Sequence, residues 1–147
     1  MVLLSFAGHD FFAVGQRALF WPRRQALIVA DLHFEKASWF ARLGQFLPPY
    51  DSLATLADLS ALAIATQARE LWCLGDSFHD SGGVARLDPA ARALCEELGD
   101  RLDLRWIVGN HDRSFSDPLG GAVVAEAELD GLWLRHEADP SDGRPEI

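Results

Sequence analysis

The sequence predicts an α/β fold, and three observations carry that prediction. Three apolar, strand-like runs each end in a polar cluster. Ile28-Val29-Ala30 leads into Asp31-Leu32-His33, and Leu71-Trp72-Cys73-Leu74 into Gly75-Asp76-Ser77-Phe78-His79-Asp80. Trp106-Ile107-Val108 leads into Gly109-Asn110-His111-Asp112. Helical patterns separate the three runs, which is the alternation of a βαβ sheet. The clusters all follow the carboxyl ends of their strands, the edge at which open α/β sheets bind ligands. Three strands of one sheet would then point Asp, His and Asn side chains at a common edge, as a metal site requires.

In chain order, residues 11–14 and 18–21 alternate around Gly15-Gln16 and read as a hairpin. Pro22-Arg23-Arg24 turns the chain into a strand over residues 26–30. Residues 35–43 suit a short helix, halted by Gly44 and by Pro48-Pro49. Asp51 reads as the N-cap of a helix over residues 51–65, with Leu53, Leu56, Ala57, Ala63 and Ile64 on one face. A strand over residues 70–74 closes the first crossover. In the second unit Asp88-Pro89 start a helix that runs to Leu98, with Gly99 as its stop, before a strand over residues 103–108. Residues 123–129 and 132–136 flank Asp130-Gly131, a hairpin signal. Residues 138–145 read as a flexible tail. No internal repeat interrupts the pattern.

Composition narrows the class. A chain of 147 residues with 49% hydrophobic content is a single folded domain. Thirteen basic against 22 acidic residues, a net charge of −9, argue against a broad electrostatic footprint on nucleic acid. Several of those acids fall in the polar clusters, where bound divalent ions would invert the local field. An acidic surface also serves solubility. Cys73 and Cys95 fit neither a disulfide framework nor a zinc ribbon and read as buried thiols. The opening segment lacks the basic start of a signal peptide, and no apolar run approaches the ~18 residues of a membrane span. The expectation is a cytoplasmic chain with no membrane attachment.

The order and spacing of the clusters resemble the calcineurin-like metallophosphoesterase superfamily. Its pattern reads Asp-x-His, Gly-Asp-x-x-(His/Asp), Gly-Asn-His-(Asp/Glu), a later His and a final Gly-His-x-His. Ala30-Asp31-Leu32-His33-Phe34-Glu35-Lys36, Leu47-Pro48-Pro49-Tyr50-Asp51, the Gly75 to Asp80 run and Leu134-Arg135-His136-Glu137 are similar to one branch in particular. That branch is the bacterial ligase-associated DNA-damage-response endonucleases. The resemblance extends from Phe20 to the last residue. It implies an α/β/β/α sandwich and a metal-dependent phosphodiesterase or endonuclease acting on DNA, or a related phosphodiester, in DNA repair. The final Gly-His-x-His would begin just past Ile147. Residues 1–147 are therefore expected to form an incomplete domain, lacking the last strands and two His ligands. Unpaired strand edges at residues 123–124 and 132–134, with self-association through them, follow as an expectation.

In such a site two divalent ions about 3.5–4 Å apart activate a shared water and clamp the phosphoryl oxygens. By resemblance Asp76 bridges the ions, Asp31 and His33 bind the first, and Asn110 and His136 bind the second. Mixed nitrogen and oxygen ligands suit Mn, Zn, Fe or Ni, of which Mn²⁺ is favoured. His111 is assigned to protonating the leaving group or hydrogen-bonding a phosphate oxygen, with Asp112 orienting its ring. His79 and Asp80 either orient the ligands from behind or cap the loop before Ser81-Gly82-Gly83. Lys36 is the substrate-contact residue. Trp39, Phe40, Phe46 and Tyr50, interleaved with Lys36 and Arg42, either stack the bases of a single strand or pack as an amphipathic helix. The helical spacing of Trp39 and Phe40 favours the core. His9 reads as a surface residue. Two further readings stand beside the repair enzyme. One is an inactive remnant that binds a metal or a partner such as a repair ligase or helicase. The other is a phosphodiesterase of nucleotides or small phosphodiesters, consistent with the acidic surface.

Overall fold

The computed structural model describes residues 1–15, 17–47, 51–113 and 119–147. Strands β1 (Val2–Phe6), β2 (His9–Val14), β3 (Ala18–Trp21) and β4 (Ala26–Val29) follow one another as an antiparallel meander. Helices α1 (Lys36–Arg42) and α2 (Asp51–Thr66) then carry the chain to β5 (Glu70–Leu74). Helices α3 (Gly83–Arg86) and α4 (Pro89–Arg101) carry it to β6 (Asp103–Ile107). Beyond β7 (Ala122–Val124), strands β8 (Ala127–Leu129) and β9 (Leu132–Leu134) form a hairpin. The main sheet runs β1 to β7 in sequence order and is parallel from β4 onward.

That order decides the layers. Parallel crossovers are right-handed, so successive crossovers advancing in one direction leave their helices on one face of the sheet. Leu56, Leu59 and Ala63 of α2 and Ala91, Cys95 and Leu98 of α4 pack there against Leu27, Val29, Leu71, Cys73, Leu104 and Trp106. The opposite face must be covered by something else. The β8–β9 hairpin does so, placing Leu132 and Leu134 on Trp21, Ile28, Trp72, Leu74 and Ile107. The result is a helix, sheet and small-sheet stack with polar loops at one edge. No helix among the described residues is long and apolar enough to cross a membrane.

Several expectations change on contact with tertiary structure. Residues 123–129 are not one strand: β7 belongs to the main sheet and β8 to the small one, so the chain changes sheets at Ala125-Glu126. On α2 the buried stripe is Ser52, Leu56, Leu59 and Ala63, while Ala57 and Ile64 face outward, Ile64 being 64% exposed. Asp88 does cap α4, its carboxylate accepting from the Ala90 and Ala91 amides. Gly99 lies inside that helix rather than ending it, and its lack of a side chain serves packing: a Cβ there would stand 2.8 Å from the Gly120 Cα. Residues 2–6 form a strand that no alternation announced. His9 is not a free surface residue. It is half-buried in β2, with its ring 4.8 Å from that of Trp21.

Residues 138–145 are not a loose tail. The Arg135 guanidinium, 9% exposed, pairs with Glu126, Asp142 and Glu146 and lies over the Trp133 ring. Arg135 and Arg144 together hold the Asp142 carboxyl well below its ordinary range, Arg144 contributing most. The polar composition that reads as coil is therefore a set of counter-ions. Residues 145–147 return beside β9, where the Ile147 amide donates to Trp133 and the Arg135 amide to Ile147. Leu132–Leu134 is thus flanked on both sides, against the expectation of a bare edge there. Cys73 and Cys95 are buried free thiols as expected, and burial pushes Cys95 up to about 12. The Pro48-Pro49-Tyr50 motif and the Gln16 turn lie outside the described residues, as does the Asp51 side chain.

Candidate active site

The loops after β4 and β5 stay bonded beyond the last ladder pair, Val29 with Cys73. The Asp31, His33 and Phe34 amides donate to the carbonyls of Gly75, Asp76 and Ser77 at 3.2, 3.0 and 2.8 Å. Buried Phe34 and Phe78 pack against one another and pin both loops to the core. Between these anchors the backbone is strained. Asp31 (φ 51°), His33 (φ 49°), Glu35 (φ 63°) and Asp76 (φ 46°) all occupy the left-handed region, which costs non-glycine residues free energy. Such strain persists only where surrounding contacts over-determine it, and here it turns the Asp31, His33 and Asp76 side chains to one edge.

Asp76 is the centre. It is 4% exposed; its Oδ1 accepts the His111 amide at 2.8 Å, and its Oδ2 lies 3.5 Å from His136 Nε2 and 3.7 Å from His111 Nε2. Asp31, Asp76 and His136 bring one ligand atom each within 4.8 Å of one another. His136 is held in a ligand's tautomer: its Nδ1–H donates to the Leu74 carbonyl at 2.9 Å, leaving the Nε2 lone pair for the site. His33 stands beside this triad, its ring 5.5 Å from that of His111, and its buried Nδ1 has no hydrogen-bond partner among the described residues. Asp31, Asp76 and His136 offer two carboxylates and an imidazole to one point, and the unpartnered His33 nitrogen is a further donor at the same edge. The residues present therefore fit a divalent cation.

Two glycines make the cluster geometrically feasible. Gly75 holds φ +79°, and a Cβ on it would run into the His136 ring. At Gly109 a Cβ would strike the Asp76 amide nitrogen and carboxylate. We expect Gly109→Ala to displace Asp76 and abolish metal-induced stabilisation, while the helix-packed face of the sheet keeps its circular dichroism. A variant that binds Mn²⁺ as the native chain does would show that this approach is not needed.

The remaining assigned residues separate. Asn110 is exposed, and its amide N–H donates to Glu137 Oε1 at 3.0 Å, which fixes the orientation of the amide. Glu137 was not among the residues singled out for the site; its place directly after His136 was the available signal. His111 is half-exposed at the edge, where a substrate could reach it. Asp112, assigned to orient His111, is instead buried at 1%, its carboxylate accepting three backbone amides: Ser77 at 2.8 Å, Phe78 at 3.2 Å and Gly109 at 2.7 Å. It ties the second loop to the third.

His79 and Asp80 part company as well. The His79 ring stacks on His111 at 5.8 Å and meets His33 at 5.7 Å. Burial, then the neighbouring His33, His111 and Lys36 charges, lower its pKa. Asp80 caps the loop, pairing with Arg86 and accepting the Gly82 amide, and Arg86 also donates to Ser38 of α1. Its carboxyl is held below the usual range chiefly by Arg86. Lys36 is exposed at the start of α1. A polar cleft of about 240 Å³ adjoins the site, lined by Asn110, Arg113, Glu126, His136 and Glu137 among others.

Carboxylates and imidazoles gathered at the carboxyl edge of a mixed α/β sheet suit a metal site, and comparison with a solved structure points to a nuclease or phosphoesterase fold. The crystal structure of the Pseudomonas putida nuclease MPE superposes with a TM-score of 0.79 at 32% sequence identity, over 99% of this chain and 70% of the nuclease. The chain belongs to the family of that nuclease. No protein-family model and no curated protein sequence matches it.

Proposed function

We propose that the protein is a metal-dependent phosphodiesterase, an endonuclease of the calcineurin-like metallophosphoesterase type, acting on DNA or a related phosphodiester in DNA repair. The observation that carries this reading is the position of Asp76. One buried carboxylate faces Asp31 and His136 and is also within 4 Å of His111 Nε2. Two divalent ions, Mn²⁺ foremost, when bound there supply Lewis acidity and a low-pKa water. Asp76 would be shared between them, with Asp31 and His33 on one side and Asn110 and His136 on the other. The chain's own contribution is to hold these ligands in place. Leu74 fixes the His136 tautomer, Glu137 fixes the Asn110 amide, and Asp112 locks the two loops together. His111, exposed and beside Asp76, holds a proton at Nε2 where the leaving oxygen departs, and Lys36 meets the substrate's phosphate.

The test is Mn²⁺-dependent hydrolysis of bis-p-nitrophenyl phosphate and of an oligonucleotide. Asn110→Ala and His111→Ala should each lose nearly all turnover. Glu137→Ala should lose about 10–100-fold, the usual cost of removing a group that orients a metal ligand. Equal rates in native protein and all three variants would refute the site.

A further inference from the structure

We infer that Trp39 and Phe40 of α1, together with His79, form a wall on which an unpaired nucleobase beside the scissile phosphate stacks. The inference rests on the phosphodiesterase reading and adds to it the residues that would hold a base next to the cleaved ester. Helical spacing favoured a core position for both aromatics, but neither belongs to the apolar core on either face of the sheet. The buried residue of α1 is Ala37. Trp39 and Phe40 stay half-exposed and turn to the catalytic edge. Their rings lie 4.9 Å apart edge to face, and reach His79 at 4.9 and 5.6 Å respectively.

His79 then touches both His33 and His111. The indole is therefore two ring contacts from the group that handles the phosphate, a separation suited to the neighbouring base rather than to the ester itself. Edge-to-face packing leaves a ring face open for a further stacking partner. Charge agrees with this occupant. Lys36 and Arg42 stand exposed at the two ends of α1, in a chain whose net charge is −9, and a sugar-phosphate backbone alongside the wall would meet both. Bases in a duplex already have both faces covered by their neighbours, so only an unpaired base is free to use the wall. Such stacking is tolerant of sequence and contributes about 1–3 kcal/mol per base.

The test is binding without turnover. A fluorescein-labelled single strand is titrated by anisotropy with no metal added, and compared with the same strand bearing abasic sites. Native protein should bind the intact strand more tightly. Trp39→Leu and Phe40→Leu should weaken intact-strand binding by about 5- to 100-fold and erase its advantage over the abasic strand. Trp39→Phe, which keeps an aromatic face, should recover most of it. If the Phe and Leu variants bind alike, or if native protein does not distinguish the two strands, there is no wall. Failure of the underlying reading looks different: native protein would then cleave no phosphodiester with Mn²⁺, whatever it binds.

Discussion

Asp76→Ala is expected to abolish both Mn²⁺-dependent hydrolysis and the rise in melting temperature that Mn²⁺ produces in the native chain. Asp31, His136 and His111 all converge on its carboxylate. A ligand that binds only the folded state, present at about 100 times its Kd, stabilises by about 2.7 kcal/mol. For a domain of this size that is a shift of about 5–10 °C. Differential scanning fluorimetry with and without Mn²⁺ reads it directly. A native chain that shows no rise has no site here, and a variant that keeps the rise binds its ion elsewhere. The substitution should also cost some stability without metal, because the His111 amide loses its acceptor.

Asp112→Ala should be the most destabilising single change at the catalytic edge. Its carboxylate is the acceptor for the Ser77, Phe78 and Gly109 amides. Stranding a buried donor costs about 1–3 kcal/mol, so the variant should lose about 3–5 kcal/mol in urea unfolding. That is a large part of the 5–15 kcal/mol typical of a domain. Asn in its place keeps one acceptor oxygen and should lose less. The comparison also distinguishes two roles. Turnover lost with little change in stability would return Asp112 to the role of orienting His111, whereas both lost together matches a brace between loops.

The positions of these residues were largely legible in the sequence; their relationships were not. Asp31, Asp76, Asn110 and His111 could be marked because each follows an apolar run, and strand ends of a parallel sheet meet at one edge. Local patterns carry that much, since a strand and its exit loop are neighbours in the chain. Glu137 shows where such reading stops. Its carboxylate orients an amide 27 residues away, and no spacing rule links the two. Trp39 and Phe40 show it again. Period and hydrophobicity say that a helix has an apolar face, but not whether that face looks into a core or across a site.

By itself, then, the sequence determined the α/β alternation, the capped second crossover helix and the three ligand-bearing loops, because propensity, capping and strand-end position act over a few residues. Tertiary structure alone decided the rest. Crossover handedness put both long helices on one face, which obliged the β8–β9 hairpin to cover the other and brought His136 over Gly75. Three backbone amides from two loops, those of Ser77, Phe78 and Gly109, meet the Asp112 carboxylate and hold it in the loop junction. Counter-charges around Arg135 ordered a segment whose composition reads as coil. Each of these outcomes depends on which groups lose water together, and that is a property of the packed chain rather than of any stretch of it.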